Sequence, residues 1–465
     1  MAARTTESTG TPGPLPIPSE AVLRPSGAVS ARLYQRAAQR PDRARASACA
    51  AGARAGGGAA LGITAESAAA LGGVSPRKPL VGKGLVEIVD SETGEIFTAK
   101  RAHDCSLHVV LSPQQQRARK WMRKAALVDI LGRKHRVAAC NRHPVKHAKA
   151  VEVWAKLDAY LPGHFVGLQT CALPWLCPIC SPKIGERRAG EIQSAMAQCL
   201  AEGGQVLMPT FTIRHGRQQP LAETLDLIKQ ALRWMGNTRQ YKQLQQRLKV
   251  EGRVIATEVT HGEANGWHPH FHELWFFRVG GVDVAELEEA LYGLWLHACR
   301  RFGLDEPSRR HGVVVQDGAQ AAKYVSKMGE KGWTLADEMA KANAKAGRQG
   351  NRSFWQLIDC AIDDEATPQH RNRAKRLIEE YEQATKGRRA LVWTPGLKKR
   401  FAVAELTDEE LAEQVEAEAV LIAEIPLDDW KVITRHRLES VVLDACLNGR
   451  EAVFSIIEAF RDKGN

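Results

Sequence analysis

The chain lacks the sequence features of a membrane protein and of a small disulfide-bonded secreted domain. No apolar run is long enough to cross a bilayer, and the N-terminus has no continuous apolar signal core. Ten cysteines are spread over 465 residues, and Cys177 and Cys180 form the one close pair. That spacing favours reduced thiols or a metal site over a disulfide framework. We therefore expect a cytoplasmic location and no membrane partner.

Negative charge is scarce in most of the chain and concentrated at its end. The formal net charge is +12 and the pI is about 9.3, yet residues 401–465 contain 15 acidic and six basic residues. Residues 1–400 are therefore strongly basic, which favours a polyanionic partner, nucleic acid before a membrane surface. The acidic end is predicted to be a separate interaction or packing module.

Composition and periodicity divide the chain into five predicted regions. Residues 1–80 are rich in Ala, Gly, Pro, Ser and Arg and are predicted to be disordered. Residues 81–200 form a basic, DNA-binding region that opens with a predicted hairpin over 86–97. The rest is predicted as an α+β domain over 201–345, a helical basic connector over 346–400 and an acidic helical module over 401–465.

The basic region combines a cationic helix with a cysteine segment. Ser112 and Pro113 are typical of a helix start, and Gly132 of a helix end. The cationic residues suit either a phosphate-contacting surface or a solvated helix face: Arg117, Arg119, Lys120, Arg123, Lys124, Arg133, Lys134 and Arg136. Four cysteines follow: Cys140, Cys171, Cys177 and Cys180. They fit a Zn²⁺ knuckle and, equally, a set of buried free thiols.

Residues 205–316 alternate between strand-like and helix-like patterns. Short β-branched or apolar runs predict strands over 205–213, 253–260, 266–277 and 310–316, and leucines at helical spacing predict the helices between them. The order is βαββαβ followed by a helix. It predicts an α+β fold with an antiparallel-sheet palm of the ferredoxin or RNA-recognition type and helices packed on one face. A cysteine-containing N-terminal region and a helical C-terminal extension flank this palm.

Three histidines alternate along the third predicted strand. His268, His270 and His272 would share one face of that strand, and imidazoles held in this way can bind a divalent metal, with Mg²⁺ or Mn²⁺ as the expected ion. Glu258 on the preceding strand becomes the third ligand if it pairs with His270, and a register one residue off would remove it. The alternatives are a polar strand end and a structural zinc site.

Tyr324 and Lys327 lie three residues apart on the helix predicted after the fourth strand. The phenol is a candidate nucleophile for phosphodiester transfer, and the ammonium group is a candidate cation beside the phenolate or the phosphate. A packed tyrosine beside a solvated lysine is the alternative interpretation.

The sequence resembles the rolling-circle plasmid replication initiators of the HUH endonuclease superfamily, single-tyrosine type. The resemblance covers roughly residues 130–335 and rests on "FTI" at 211–213, "GWHPHFHELWFF" at 266–277 and "AAKYVSKMGEK" at 321–331, in that order, with "CALPWLCPICSPKIGERR" before them. It implies a metal-dependent nickase and strand-transferase that cuts one strand of the plasmid origin. It also implies a 5′ phosphate held on Tyr324, His270 and His272 as metal ligands, and a host helicase and DNA polymerase as partners.

One position departs from the resemblance. Some single-tyrosine relatives carry a glutamate four residues before the tyrosine, where this chain has Gln320, and an amide cannot act as a general base. His268 is expected to be auxiliary. The alternative functions are a transposase or mobilisation nickase of the same superfamily, and a non-catalytic origin-binding protein with structural zinc.

Overall fold

The structure is a computed structural model that describes residues 113–156, 163–214, 216, 219–317, 351–414 and 419–461, together with the backbone of four earlier strands. Those strands are β1 (Val74–Pro79), β2 (Leu85–Asp90), β3 (Ile96–Arg101) and β4 (Leu107–Val110), and they form an antiparallel sheet in chain order. The β2–β3 pairing confirms the predicted hairpin. The β1 strand lies inside the stretch predicted to be disordered, because it pairs with β2.

The second compact unit begins at Leu111 and is built around a six-stranded antiparallel sheet. Its strands are β7 (Gln205–Thr212), β8 (Val250–Gly262), β9 (Gly266–Phe277), β10 (Val313–Asp317), β11 (Asn351–Arg352) and β12 (Leu391–Trp393). The order is β10-β7-β9-β8-β11, and β12 also pairs with β8. Helices α4 (Leu221–Asn237), α5 (Arg239–Arg247) and α6 (Val284–Arg301) connect the strands. The predicted α+β palm and its βαββαβ order are confirmed.

Helices cover both faces of this sheet. One face carries Phe211, Phe271 and Trp275, which pack against α4, α6 and two later helices, α7 (Phe354–Ala361) and α8 (Pro368–Thr385). The other face carries Val254 and Leu274, which pack against α3 (Cys180–Ala201) and α9 (Leu397–Arg400). The prediction of helices on one face alone is wrong. At this end of the sheet the residues of β8 and β9 that point to the second face are also apolar, so helices cover that face as well.

A smaller sheet joins the cysteine region to the acidic end of the chain. Strands β5 (Ala150–Ala155) and β6 (His164–Val166) form a hairpin, and β13 (Val420–Pro426) pairs with β5. After α10 (Asp408–Glu413) and β13, three helices follow: α11 (Leu427–His436), α12 (Glu439–Ala445) and α13 (Arg450–Arg461). Together these elements bury one apolar cluster around Phe165 and Trp430. The segment predicted as a separate acidic module therefore folds together with residues 150–166.

The predicted cationic helix is α1 (Pro113–Leu131), which α2 (Arg136–Ala139) follows. Its charges are neutralised inside the protein: Arg117 pairs with Asp444 of α12, and Arg119 and Arg123 both pair with Asp359. Lys124 is buried over the Trp121 ring, and burial lowers its pKa. These four side chains therefore do not form the predicted phosphate-contacting surface.

The connector predicted over 346–400 contributes strands to the main sheet. Both β11 and β12 pair with β8, so the predicted boundary at 345 runs through one sheet. None of the helices in the described ranges combines the length and apolar character that crossing a membrane requires.

Candidate functional site

The three alternating histidines lie on β9, between β7 and β8. The register places Glu258 opposite His270 and Thr260 opposite His268, as predicted, so Glu258 and the histidines face the same side of the sheet. Pairing with β7 ends at His270, and Pro269 lies just beyond that point, where a missing N–H group is tolerated. The site therefore begins where the central strand of the sheet loses one neighbour.

His272 is the most tightly held of the three histidines. Its Nε2 lies 3.1 Å from Oε2 of Glu258, and its Nδ1 lies 3.0 Å from Oγ1 of Thr210. With an ionised Glu258, Nε2 is the donor in that contact, and in a neutral imidazole Nδ1 then accepts from the Thr210 hydroxyl. Both His272 and Glu258 are buried.

The three imidazoles form a row along β9. The ring centroids of His268 and His270 are 4.1 Å apart, and those of His270 and His272 are 6.2 Å apart and nearly parallel. The side chains that were predicted as metal ligands thus lie on one patch of the sheet. Their donor atoms do not all lie within 4.8 Å of one another. Among the described residues, the four cysteines are the group of candidate ligands that meets this distance of 4.8 Å.

The patch offers imidazole nitrogens and one carboxylate oxygen, which are donor types that bind divalent metal ions. Two cis ligands of an octahedral Mg²⁺ site, each about 2.1 Å from the ion, are separated by about 3 Å, and the Glu258 and His272 donor atoms are 3.1 Å apart. Thr210 is a contributor that the sequence did not indicate. It faces His272 because β7 pairs with β9, although the helices α4 and α5 separate the two strands in sequence.

The predicted nucleophile lies outside the described residues. Tyr324, Lys327 and Gln320 all fall within 318–350, which follow β10 directly. Two of the described tyrosines have hydroxyl groups with other partners. The hydroxyl of Tyr241 contacts Glu273, and that of Tyr292 donates to the carbonyl oxygen of Pro307. Tyr381 is buried; burial, and to a smaller extent the charge of Glu258, raise its pKa.

The four cysteines form a second candidate site at the start of α3. The Sγ of Cys140 lies 3.6 Å from that of Cys177 and 3.4 Å from that of Cys180, and the Sγ atoms of Cys171 and Cys180 are 3.9 Å apart. A tetrahedral zinc ion with Zn–S bonds of about 2.3 Å keeps its sulfurs about 3.8 Å apart. All four thiols are buried and none forms a disulfide. This buried group is able to hold a metal ion such as zinc.

The long gap between Cys140 and Cys171 is closed by the β5–β6 hairpin. The backbone N–H of Asn141 donates to the carbonyl oxygen of Gln169, so the chain returns beside its starting point. Asn141 and Ala172, the residues after the two cysteines, have φ angles of 48° and 47°. A left-handed alanine is strained and persists where its surroundings enforce it, which is common at binding sites.

Groups around the sulfurs suit a metal-bound state. The backbone N–H of Cys180 donates to Sγ of Cys177, and the side-chain amide of Asn141 donates to Sγ of Cys140. Burial raises the pKa of the Cys177 thiol, whereas hydrogen bonds from neighbouring thiols, that of Cys171 first, lower the pKa of Cys140. The two thiols thus have pKa values shifted in opposite directions. A bound metal ion would hold every sulfur as a thiolate.

The chain was also compared with known proteins. It is 27% identical over 342 residues to "Protein rep" of Streptomyces lividans, a match that covers 59% of this chain and 74% of the relative. It is 31% identical over 133 residues to a "Neomycin resistance protein" of Streptomyces cyanogenus, covering 23% of this chain and 30% of that protein. No family model and no solved structure matches. The chain is therefore similar to a plasmid Rep protein over more than half of its own length.

Proposed function

We propose that the chain is a rolling-circle replication initiator: a metal-dependent, site-specific nickase and strand-transferase that acts on one strand of a plasmid origin. The observation that carries the proposal is the buried contact of His272 with Glu258 beside His270, on the sheet whose strand β10 is followed in sequence by the Tyr324 segment. The similarity to a Rep protein supports the same function.

In the proposed reaction, the phenol oxygen of Tyr324 attacks the scissile phosphorus. The bond between phosphorus and the 3′ oxygen breaks, the 5′ phosphate becomes an ester of the tyrosine, and the 3′ oxygen leaves with the proton that the phenol has lost. Lys327 would stabilise the charge on the phosphate. Glu258, His270 and His272, with His268 as an auxiliary, would hold Mg²⁺ or Mn²⁺, whose charge makes the phosphorus more electrophilic.

The described tyrosines support the choice of Tyr324. A phenol must lose its proton to attack, and burial holds the pKa of Tyr381 well above its usual value. The hydroxyl groups of Tyr241 and Tyr292 are already in contact with other groups. The 3′ hydroxyl left by the cut would serve as the primer for a host polymerase, and strand separation would fall to a host helicase.

The test is the covalent adduct. Wild-type protein, Tyr324→Phe and Tyr292→Phe are incubated with labelled single-stranded origin DNA and Mg²⁺ or Mn²⁺, and protein-bound label is measured on a denaturing gel. We expect adduct from the wild type and from Tyr292→Phe, and none from Tyr324→Phe or after chelation. No wild-type adduct with either metal would overturn the enzymatic proposal and leave an origin-binding protein. Cutting at the ends of a mobile element rather than at a plasmid origin would favour a transposase.

We further propose that the four-cysteine group binds a structural Zn²⁺. Three sulfur separations of 3.4, 3.6 and 3.9 Å and the two N–H groups that donate to sulfur support zinc over four free thiols.

A further inference from the structure

The loop between Cys140 and β5 concentrates positive charge on the surface. Residues 141–149 contain no acidic residue, and their five basic or imidazole side chains are all exposed: Arg142, His143, Lys146, His147 and Lys149. None of the five forms a salt bridge or a side-chain hydrogen bond with another described residue. Burial raises the pKa of the Glu439 carboxyl, and Arg142 lies near enough to that carboxyl to oppose the rise. The other four side chains of the loop have no acidic partner among the described residues.

The contrast with α1 is direct. The arginines at 117, 119 and 123 of that helix are paired with Asp444 and Asp359, so their charge is used for packing. Asp444 and Asp359 form salt bridges with the helix, whereas no acidic side chain among the described residues forms a salt bridge with the loop. Sequence density of positive charge is similar in the two segments, and the fold decides which one can meet an external anion.

The backbone of the loop is held in place. The N–H of Gln169 donates to the carbonyl oxygen of His143 at 2.8 Å, and the N–H of Val145 donates to that of Gly167 at 2.9 Å. Gly167 has a φ of 85°, and a Cβ there would lie 3.1 Å from the carbonyl oxygen of Ala150, so glycine is needed for this close approach. A loop fixed in this way loses little entropy when it binds.

The composition of the loop distinguishes between the forms of nucleic acid. Single-strand binding sites combine positive charge with aromatic side chains on which bases stack, and residues 141–149 contain no Phe, Tyr or Trp. Cationic side chains without a stacking platform suit the phosphates of a duplex, which position a protein without reading its sequence.

We propose that residues 142–149 form a contact surface for the phosphate backbone of duplex DNA, anchored at Cys140. The identity of the partner as DNA rests on the proposed function. The surface would hold the duplex next to the origin while cutting takes place at the histidine patch.

The test compares two triple variants with equal loss of charge. One is Arg142→Gln, Lys146→Gln, Lys149→Gln. The matched control is Lys229→Gln, Arg233→Gln, Lys242→Gln, on the exposed side of α4 and α5, where these side chains form no salt bridge with a described residue. Affinity for a fluorescent duplex with the origin sequence, and for a scrambled duplex, is measured by anisotropy from 50 to 300 mM salt.

We expect the loop variant to bind both duplexes on the order of a hundredfold more weakly near 100 mM salt, with the slope of log K against log salt reduced by about 2–3, because three phosphate contacts are lost. The control variant should change by less than about threefold, through long-range charge alone. A Lys146→Arg, Lys149→Arg variant should retain affinity. Equal loss in loop and control variants, or an unchanged slope in the loop variant, would overturn the proposal.

The adduct assay separates this proposal from the proposed function. At saturating protein, the loop variant should still form the tyrosine adduct on single-stranded origin DNA. Weakened duplex binding in a protein that never forms an adduct would leave the loop assignment intact and remove the nickase. A loop variant that binds duplex DNA normally and also forms the adduct would overturn the loop assignment and leave the nickase intact.

Discussion

His272 depends on the Thr210 hydroxyl for the orientation of its ring. The hydroxyl lies 3.0 Å from Nδ1 and can either donate or accept, so it can hold the same ring whether Nε2 faces the Glu258 carboxylate or a metal ion. Partners of this kind fix the tautomer and direction of a ligating imidazole, and losing one typically costs 10–100-fold in metal affinity.

We therefore expect Thr210→Val to raise the Mn²⁺ concentration needed for half-maximal adduct formation by roughly 10–100-fold. The change keeps the β-branched shape of the side chain and its preference for strand. Thr212→Val is the control. Thr212 lies on the same strand as Thr210, but its hydroxyl donates to the carbonyl oxygen of His311. Equal metal dependence in the two variants would show that Thr210 does not position His272.

At the scale of elements, one carboxylate joins α1 to α7. Asp359 accepts hydrogen bonds from Arg123 at 2.8 and 2.6 Å and from Arg119 at 2.5 Å. Burial by itself would raise the pKa of Asp359, but the two guanidinium groups outweigh it and lower the pKa. Removing one partner of such a cluster leaves charge without compensation and costs about 3 kcal/mol.

Asp359→Asn should lower the free energy of unfolding at pH 7 by about 3 kcal/mol, measured by guanidinium chloride titration. A carboxyl with a lowered folded pKa stabilises the fold above its unfolded pKa of about 4 and loses this effect as the pH falls through the folded value. The difference between wild type and variant should therefore shrink below pH 4. Asp428→Asn, in the exposed pair with Lys431, should change little; a pH-independent gap for Asp359→Asn would contradict the assignment.

At the scale of the folded unit that begins at Leu111, the cysteine group connects segments far apart in sequence. It lies in the same apolar core as Trp175, Phe354 and Tyr381, so losing a metal ion there would loosen several elements together. Structural zinc contributes directly to folding free energy.

Cys177→Ala should purify without zinc and melt more than about 10 °C below the wild type, given the size of zinc-coupled folding energies. Cys299→Ala, a truncation at another buried cysteine, should keep one zinc ion per chain and lose only about 1 kcal/mol. Zinc content is measured by plasma emission spectrometry and melting by calorimetry. Wild-type protein that contains no zinc and is insensitive to a chelator would refute a structural metal.

Local sequence determined the elements that depend on neighbouring residues. Helix α1 ends before Gly132, whose φ is 89°, Asp283 caps α6, and the short turn between β8 and β9 fixes Glu258 opposite His270. Propensity, capping and a tight hairpin act over a few residues, and the sequence displays all three. The histidine row and the βαββαβ order were predictable for the same reason.

Only the tertiary structure decided what depends on residues far apart. Arg117 meets Asp444 and Arg123 meets Asp359 across more than 200 positions of sequence, so the cationic helix became part of the core. The loop after Cys140, of similar density of positive charge in sequence, exposes its basic side chains on the surface. The four sulfurs come together because the β5–β6 hairpin returns the chain to Cys140. Thr210 contacts His272 because β7 pairs with β9. Long-range pairing is set by the free energy of the whole core, and a local pattern carries no record of it.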